Sequence, residues 1–301
     1  MMVKFFKSLK SKVLDFGLKF LSIDEKLAYI IFKTQSNHIR PIALLPTTST
    51  TLKKLLTRLE NHDKMGNIHN GKFNGVAVSV LQTGVGNPQV AMVMEALKRS
   101  PCKIAIRVDY CGGLSTSDKE LDIADVIIPD EVVLSDGTAS SYLQVYSKSL
   151  QNLPMTSYPV KIDDFHDFLL YPSFQDKYWG IKLESTLKKT IWDSFSHNSF
   201  NFTVASGKLW SVDALFCEND PAIQTWISYG ANAVDMESSA VYFLGRLFTI
   251  ASFSILGISD LPNTKDWNFQ KTNKIHVKYE SIIDNTLEVL ECVLPNIENK
   301  V

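Results

Sequence analysis

Apolar residues at the start of the chain fall on one helical face. Val3, Phe6, Leu9, Val13, Phe16 and Phe20 recur at steps of three and four, which predicts an amphipathic helix. Lys4, Lys7, Lys10, Lys12 and Lys19 accompany this stripe, with Asp15 as its acid. Such a helix suits docking on the body of the protein or on another subunit, and its basic face also suits membrane contact. After Arg40 the pattern changes to short apolar runs alternating with helical ones. Residues 41–45, 76–81, 104–108, 124–129, 132–134, 202–205, 233–234 and 253–258 read as strands, and 52–59, 91–97, 238–248 and 279–293 as helices. The stretch 140–200 has a weaker pattern and reads as a helix with excursion loops.

Alternation of this kind predicts an α/β fold: a three-layer α/β/α domain around a central mixed, mostly parallel sheet. Residues 1–38 read as an N-terminal helical extension and 39–301 as one domain, since no linker, repeat or low-complexity run divides them. Ligands of such sheets sit beyond the carboxyl ends of the strands. The Gly-containing turns at 84–86 and 112–113 both follow strands and fall at that edge.

Composition narrows the function classes. A formal net charge of -1 gives no electrostatic case for nucleic-acid binding. Cys102, Cys111, Cys217 and Cys292 form no C-x-x-C pair and have no His at metal-ligand spacing, so no metal site or disulfide framework is expected. A reduced, cytoplasmic protein is the simplest expectation. The apolar runs are too short to span a bilayer.

Four segments carry candidate chemistry. Thr83-Gly84-Val85-Gly86-Asn87-Pro88 is either a tight strand-to-helix connection or a backbone approach to a ligand. Arg107 lies inside an apolar strand two residues before Asp109, as a buried ion pair with it or as an anion site. Asp235 and Glu237 flank Met236 just before a helix, as helix-dipole partners or as site acids. Asp260 ends an apolar strand, where partial desolvation should raise its pKa; an N-cap is the alternative.

In their order along the chain, TGVGNP (83–88), RVDYCGGL (107–114), GKLWSVDALF (207–216), AVDMESSAVY (233–242) and GISDLP (257–262) resemble the nucleoside phosphorylase/nucleosidase superfamily. The resemblance is to the branch with hexameric purine nucleoside phosphorylases and uridine phosphorylases, and it covers roughly residues 40–295. It implies a phosphorylase that cleaves a purine ribonucleoside with inorganic phosphate as co-substrate and no other cofactor. A nucleoside hydrolase, a uridine phosphorylase and a non-catalytic nucleoside-binding relative are the alternatives. The resemblance implies that Asp260 protonates the base, that Glu237 holds the ribose hydroxyls and that Met236 packs under the ribose. With Asp235, Thr83 and Gly84 it places Cys111, Gly112 and Leu215 around the substrate, with Trp210 or Phe216 as substitutes for an aromatic ring at Leu215. Arg107, Thr47, Tyr110 and, from a neighbouring subunit, Lys64 would hold phosphate. A homo-oligomer (dimer, trimer of dimers or hexamer) is implied.

Three departures fall in the phosphate half. The family loop P-G-D-P-x-R reads Pro46-Thr47-Thr48-Ser49-Thr50-Thr51, which replaces its Gly by Thr47 and its Arg by Thr51. Tyr110 stands in place of a small Ser or Thr, and Asp109 in place of a Gly.

Overall fold

Ser22 begins the first helix, α1 (Ile23–Phe32), with a capping box. Its hydroxyl accepts the Glu25 N–H at 3.2 Å, and the Glu25 carboxylate accepts the Ser22 N–H at 2.8 Å. The structure is a computed structural model that describes residues 22–114, 121–146, 153–159, 177–196, 198–262 and 275–298. The amphipathic stripe at residues 3–20 lies outside the described residues.

Five segments follow as the apolar pattern predicts: β1 (Ile42–Leu45), α2 (Ser49–Thr57), β4 (Val76–Val80), α3 (Asn87–Leu97) and β5 (Ile104–Gly113). Between α2 and β4 the chain inserts a hairpin, β2 (Glu60–Met65) and β3 (Ile68–Phe73), which the pattern did not predict. β2 is exposed along most of its length and carries Asn61, His62, Asp63 and Lys64, residues that resemble a loop. β6 (Val126–Ser135) unites two expected strands, because a register shift between Pro129 and Glu131 accommodates the proline within one strand. α4 (Gly137–Val145), β7 (Met155–Pro159), β8 (Lys177–Lys182) and α5 (Ser185–Asp193) occupy the stretch with the weaker pattern. β9 (Val204–Val212) runs well past its expected end. α6 (Asp220–Ser228), β10 (Ala231–Asp235), α7 (Ser238–Phe248), β11 (Ala251–Asp260) and α8 (Ile275–Glu298) complete the order.

The sheet order is β2-β3-β4-β1-β5-β10-β9-β6-β8-β7, and β11 bridges β5 and β6. β5, β10, β9, β6 and β11 therefore close a ring. The sheet is mixed, as expected. β4, β1, β5 and β11 run parallel, as do β10, β9 and β6, while the β2–β3 and β7–β8 flanks and the two seams of the ring are antiparallel. Helices cover both faces: α1, α3, α4 and α7 pack as one group, and α2, α5 and α8 as the other. One large apolar core holds most of the sheet, and a smaller one around Trp210, Trp226 and Tyr178 lies under α6. Among the described residues no helix is long and apolar enough to cross a membrane.

Candidate active site

β1, β4, β5, β10 and β11 bring their carboxyl ends together, and with them the candidate residues. At the centre is Arg107 on β5, only 2% exposed. Its Nη2 donates to Glu237 at 2.6 Å and to the Tyr110 carbonyl at 3.2 Å, and its Nη1 lies 3.1 Å from Asp235. Burial works against the guanidinium charge, but Asp235 and Glu237, with Asp109 behind them, outweigh it and hold its pKa above the ordinary value.

Glu237 precedes α7 and reaches back to β5 and to the turn after β4. Its Oε1 accepts the Gly86 N–H at 2.9 Å. Gly86 sits at φ 96°, a left-handed conformation that aims this N–H at the carboxylate. Burial pushes the Glu237 carboxyl up, Arg107 draws it back, and Asp235 adds to the rise. Asp235 caps α7 by accepting the Ser238 N–H at 3.0 Å. Asp235 thus supports the helix end, as one of its sequence readings expects, and also binds the arginine.

The loop after β1 faces the same centre. Asp109 turns away from Arg107 and accepts the Thr47 N–H at 2.5 Å and the Thr48 N–H at 2.9 Å through Oδ2. Its Oδ1 accepts the Thr51 hydroxyl and its neighbour's Tyr110 N–H, both at 3.1 Å. The reading of Arg107 as a simple pair with Asp109 is therefore corrected: the ion-pair partners are Asp235 and Glu237. Of the expected phosphate ligands, Arg107 is bound by two carboxylates and the Thr47 N–H donates to Asp109.

Further candidate residues gather where β11 meets β5. Asp260 ends β11 opposite Gly112, across a register shift after Ile258. Gly112 allows this approach, since a Cβ there would come within 3.0 Å of Pro262 and 3.1 Å of Val234. Burial raises the Asp260 carboxyl, and the Ser259 hydroxyl, donating at 2.5 Å, draws it partly down. Cys111 is buried beside it, and burial keeps its thiol protonated. Sequence reasoning missed one acid here. Glu218, in the turn before α6, is pushed up to about 8 by burial and then by Asp260 and Asp235. Its only sequence signal was its place just beyond the GKLWSVDALF segment.

Thr83 and Gly84 lie in the turn after β4, where the Thr83 hydroxyl donates to the Gly84 carbonyl at 3.0 Å. Met236 is half-buried beside Glu237. Leu215 and Phe216 form an exposed 3₁₀ turn, with Phe216 96% exposed. Trp210, the other proposed ring, is wholly buried and packs edge-on against Tyr178, so it belongs to the smaller core and is withdrawn as a ring for the base. Lys64 stands exposed on β2, and the chain's own fold does not bring it to Arg107. Among the described residues no cluster of His, Cys, Asp or Glu has a metal-binding arrangement.

The profile of the Phosphorylase superfamily matches residues 41–289. A DeoD-type purine nucleoside phosphorylase of Geobacillus kaustophilus is 26% identical over 191 residues, 63% of this chain and 65% of that protein. The match thus spans just under two thirds of that relative. A uridine phosphorylase of Thermococcus kodakarensis is 33% identical over 88 residues, 29% of this chain and 31% of that protein. Among solved structures, the uridine phosphorylase of Vibrio fischeri superimposes with a TM-score of 0.65 at 17% identity, covering 88% of this chain and 93% of that one. A putative 5'-methylthioadenosine/S-adenosylhomocysteine nucleosidase of Borrelia burgdorferi gives 0.62 at 21%, covering 84% and 99%.

Proposed function

Because the chain belongs to the Phosphorylase superfamily, we propose that it cleaves the N-glycosidic bond of a purine ribonucleoside and releases the free base. The observation that carries this reading is the half-buried carboxyl of Asp260, whose partial desolvation raises its pKa and keeps its proton to higher pH than an exposed aspartate does. As the bond breaks, the sugar gains positive and the base negative charge. Asp260 gives its proton to the departing purine at N7. Glu237 faces the ribose: its oxygens accept Gly86 and Arg107, and each keeps a further lone pair for a hydroxyl hydrogen. Its negative charge also suits the developing cation. Met236 packs beneath the sugar. Cys111, Gly112, Thr83, Gly84 and Leu215 border the base, and Glu218 adds a second carboxyl near Asp260 whose pKa burial pushes up to about 8.

Inorganic phosphate is the acceptor that the resemblance implies, with ribose 1-phosphate as product, and the names of the curated relatives support it. The occupancy of the loop by Asp109 favours a second reading, with water as acceptor. Incubation with adenosine, inosine and uridine, followed by chromatography of the free bases, tests the reaction. Purine release supports it. A preference for uridine overturns the choice of base, and release of no base overturns the activity.

A further inference from the structure

We infer that Asp109 is a built-in occupant of the anion cradle between β1 and α2, and that it excludes phosphate and leaves water as the acceptor. The inference rests on the nucleoside-cleaving reading above. A helix N-terminus with two convergent backbone N–H groups and a hydroxyl is a site for a small anion. Here the loop entering α2 supplies the Thr47 N–H and the N-cap Thr48 N–H, the first turn supplies the Thr51 hydroxyl, and all three donate to one carboxylate. With the Tyr110 N–H as a fourth donor, the acceptor capacity of that carboxylate is filled. Asp109 is 2% exposed and Thr51 1%, so the cradle is closed over it.

The surroundings repeat the message. Arg107, the cation at this centre, is already bound by two carboxylates, Asp235 and Glu237, and Asp109 adds negative charge behind them. A phosphate dianion arriving here would have to displace Asp109 from its donors and lie against like charge, which strongly disfavours a partner. Water meets neither obstacle. The balance of the step is simple. The bond between the anomeric carbon and the base nitrogen breaks, and its electron pair leaves with the base, which takes a proton from Asp260. The water oxygen bonds to the anomeric carbon as hydroxyl, and the proton it sheds replaces the one Asp260 gave up. The sugar product is ribose.

The test compares the wild-type chain with Asp109→Gly and the near-isosteric Asp109→Asn, each with and without inorganic phosphate. Base release and the identity of the sugar are read by chromatography, and phosphate binding by equilibrium dialysis with labelled phosphate. Expected are a wild-type rate independent of phosphate, ribose as the sugar, and no retained phosphate. Either variant, once shown folded by circular dichroism, should bind phosphate at least roughly tenfold more tightly than wild type. Ribose 1-phosphate from the wild type, or a rate that saturates with phosphate, overturns the inference, as do folded variants that bind phosphate no better. If both variants fail to fold, the wild-type measurements decide. If no nucleoside is cleaved under any condition, the activity reading fails, and dialysis still judges the cradle: phosphate on the wild type overturns it, phosphate on the variants alone supports it.

Discussion

Arg107 is held by Asp235 and Glu237 so closely that each of the three fixes the others, and the chemistry on either side depends on that fixing. Replacing Glu237 by Gln keeps the shape and removes the charge. Turnover of a purine nucleoside should then fall by about 10²–10³-fold in kcat/KM. Circular dichroism should show a retained fold, and normal turnover in that folded protein would remove Glu237 from the site. Asp260→Asn removes the proton donor and should lower inosine cleavage by about 10²–10⁴-fold. A 7-methylated purine nucleoside already carries positive charge on its base, so its loss should be far smaller. Equal losses on both substrates would make Asp260 structural. These acids were legible in the sequence because they sit in short, ordered motifs. The partners of Asp109 were not, since residues 47, 48 and 51 meet it only after β1 and β5 pair. Glu218 escaped notice because nothing in its local sequence marks it as buried.

At the scale of elements, the helix Ser238–Phe248 was readable to its ends because its apolar face is continuous and small residues start it. The β2–β3 hairpin and α6 were not, because polar residues dominate β2 and α6 buries only Ala222, Ile223 and Trp226. α4 shows how an element end can hide a titration. Its cap, Asp136, accepts the Ala139 N–H at 2.7 Å and the Ser239 hydroxyl from α7. Burial raises the Asp136 pKa from the ordinary 3.8 to about 7, against the pull of those bonds. In the unfolded chain the group ionises earlier, so the folded state holds the extra proton. The resulting stability is fully present below 3.8 and is lost as pH rises to about 7. Asp136→Asn carries no such titration. Its Tm should vary less than the wild-type Tm between about pH 4 and pH 7, as thermal melts across that window would show. Parallel slopes would mean that Asp136 is solvated in the native protein.

On the scale of the whole molecule, Leu27, Ile30 and Met92 leave apolar surface exposed on α1 and α3, and Lys64 stands exposed on β2. We expect a homo-oligomer with closed symmetry that covers such surface and gives Lys64 a neighbour. A monomer by light scattering at micromolar concentration would refute this. The class of fold was legible in the alternation of strands and helices, but the ring was not, because its seams join strands far apart in sequence. That closure sets an order of events during synthesis. β5, at Ile104–Gly113, leaves the ribosome long before β11, at Ala251–Asp260, which must pair with it along nearly its whole length. Until then one edge of β5 stands open and Asp260, at the end of β11, is not yet in place. The nascent chain therefore passes through about half of its translation as an incomplete barrel with a sticky edge, the kind of intermediate that chaperones shield.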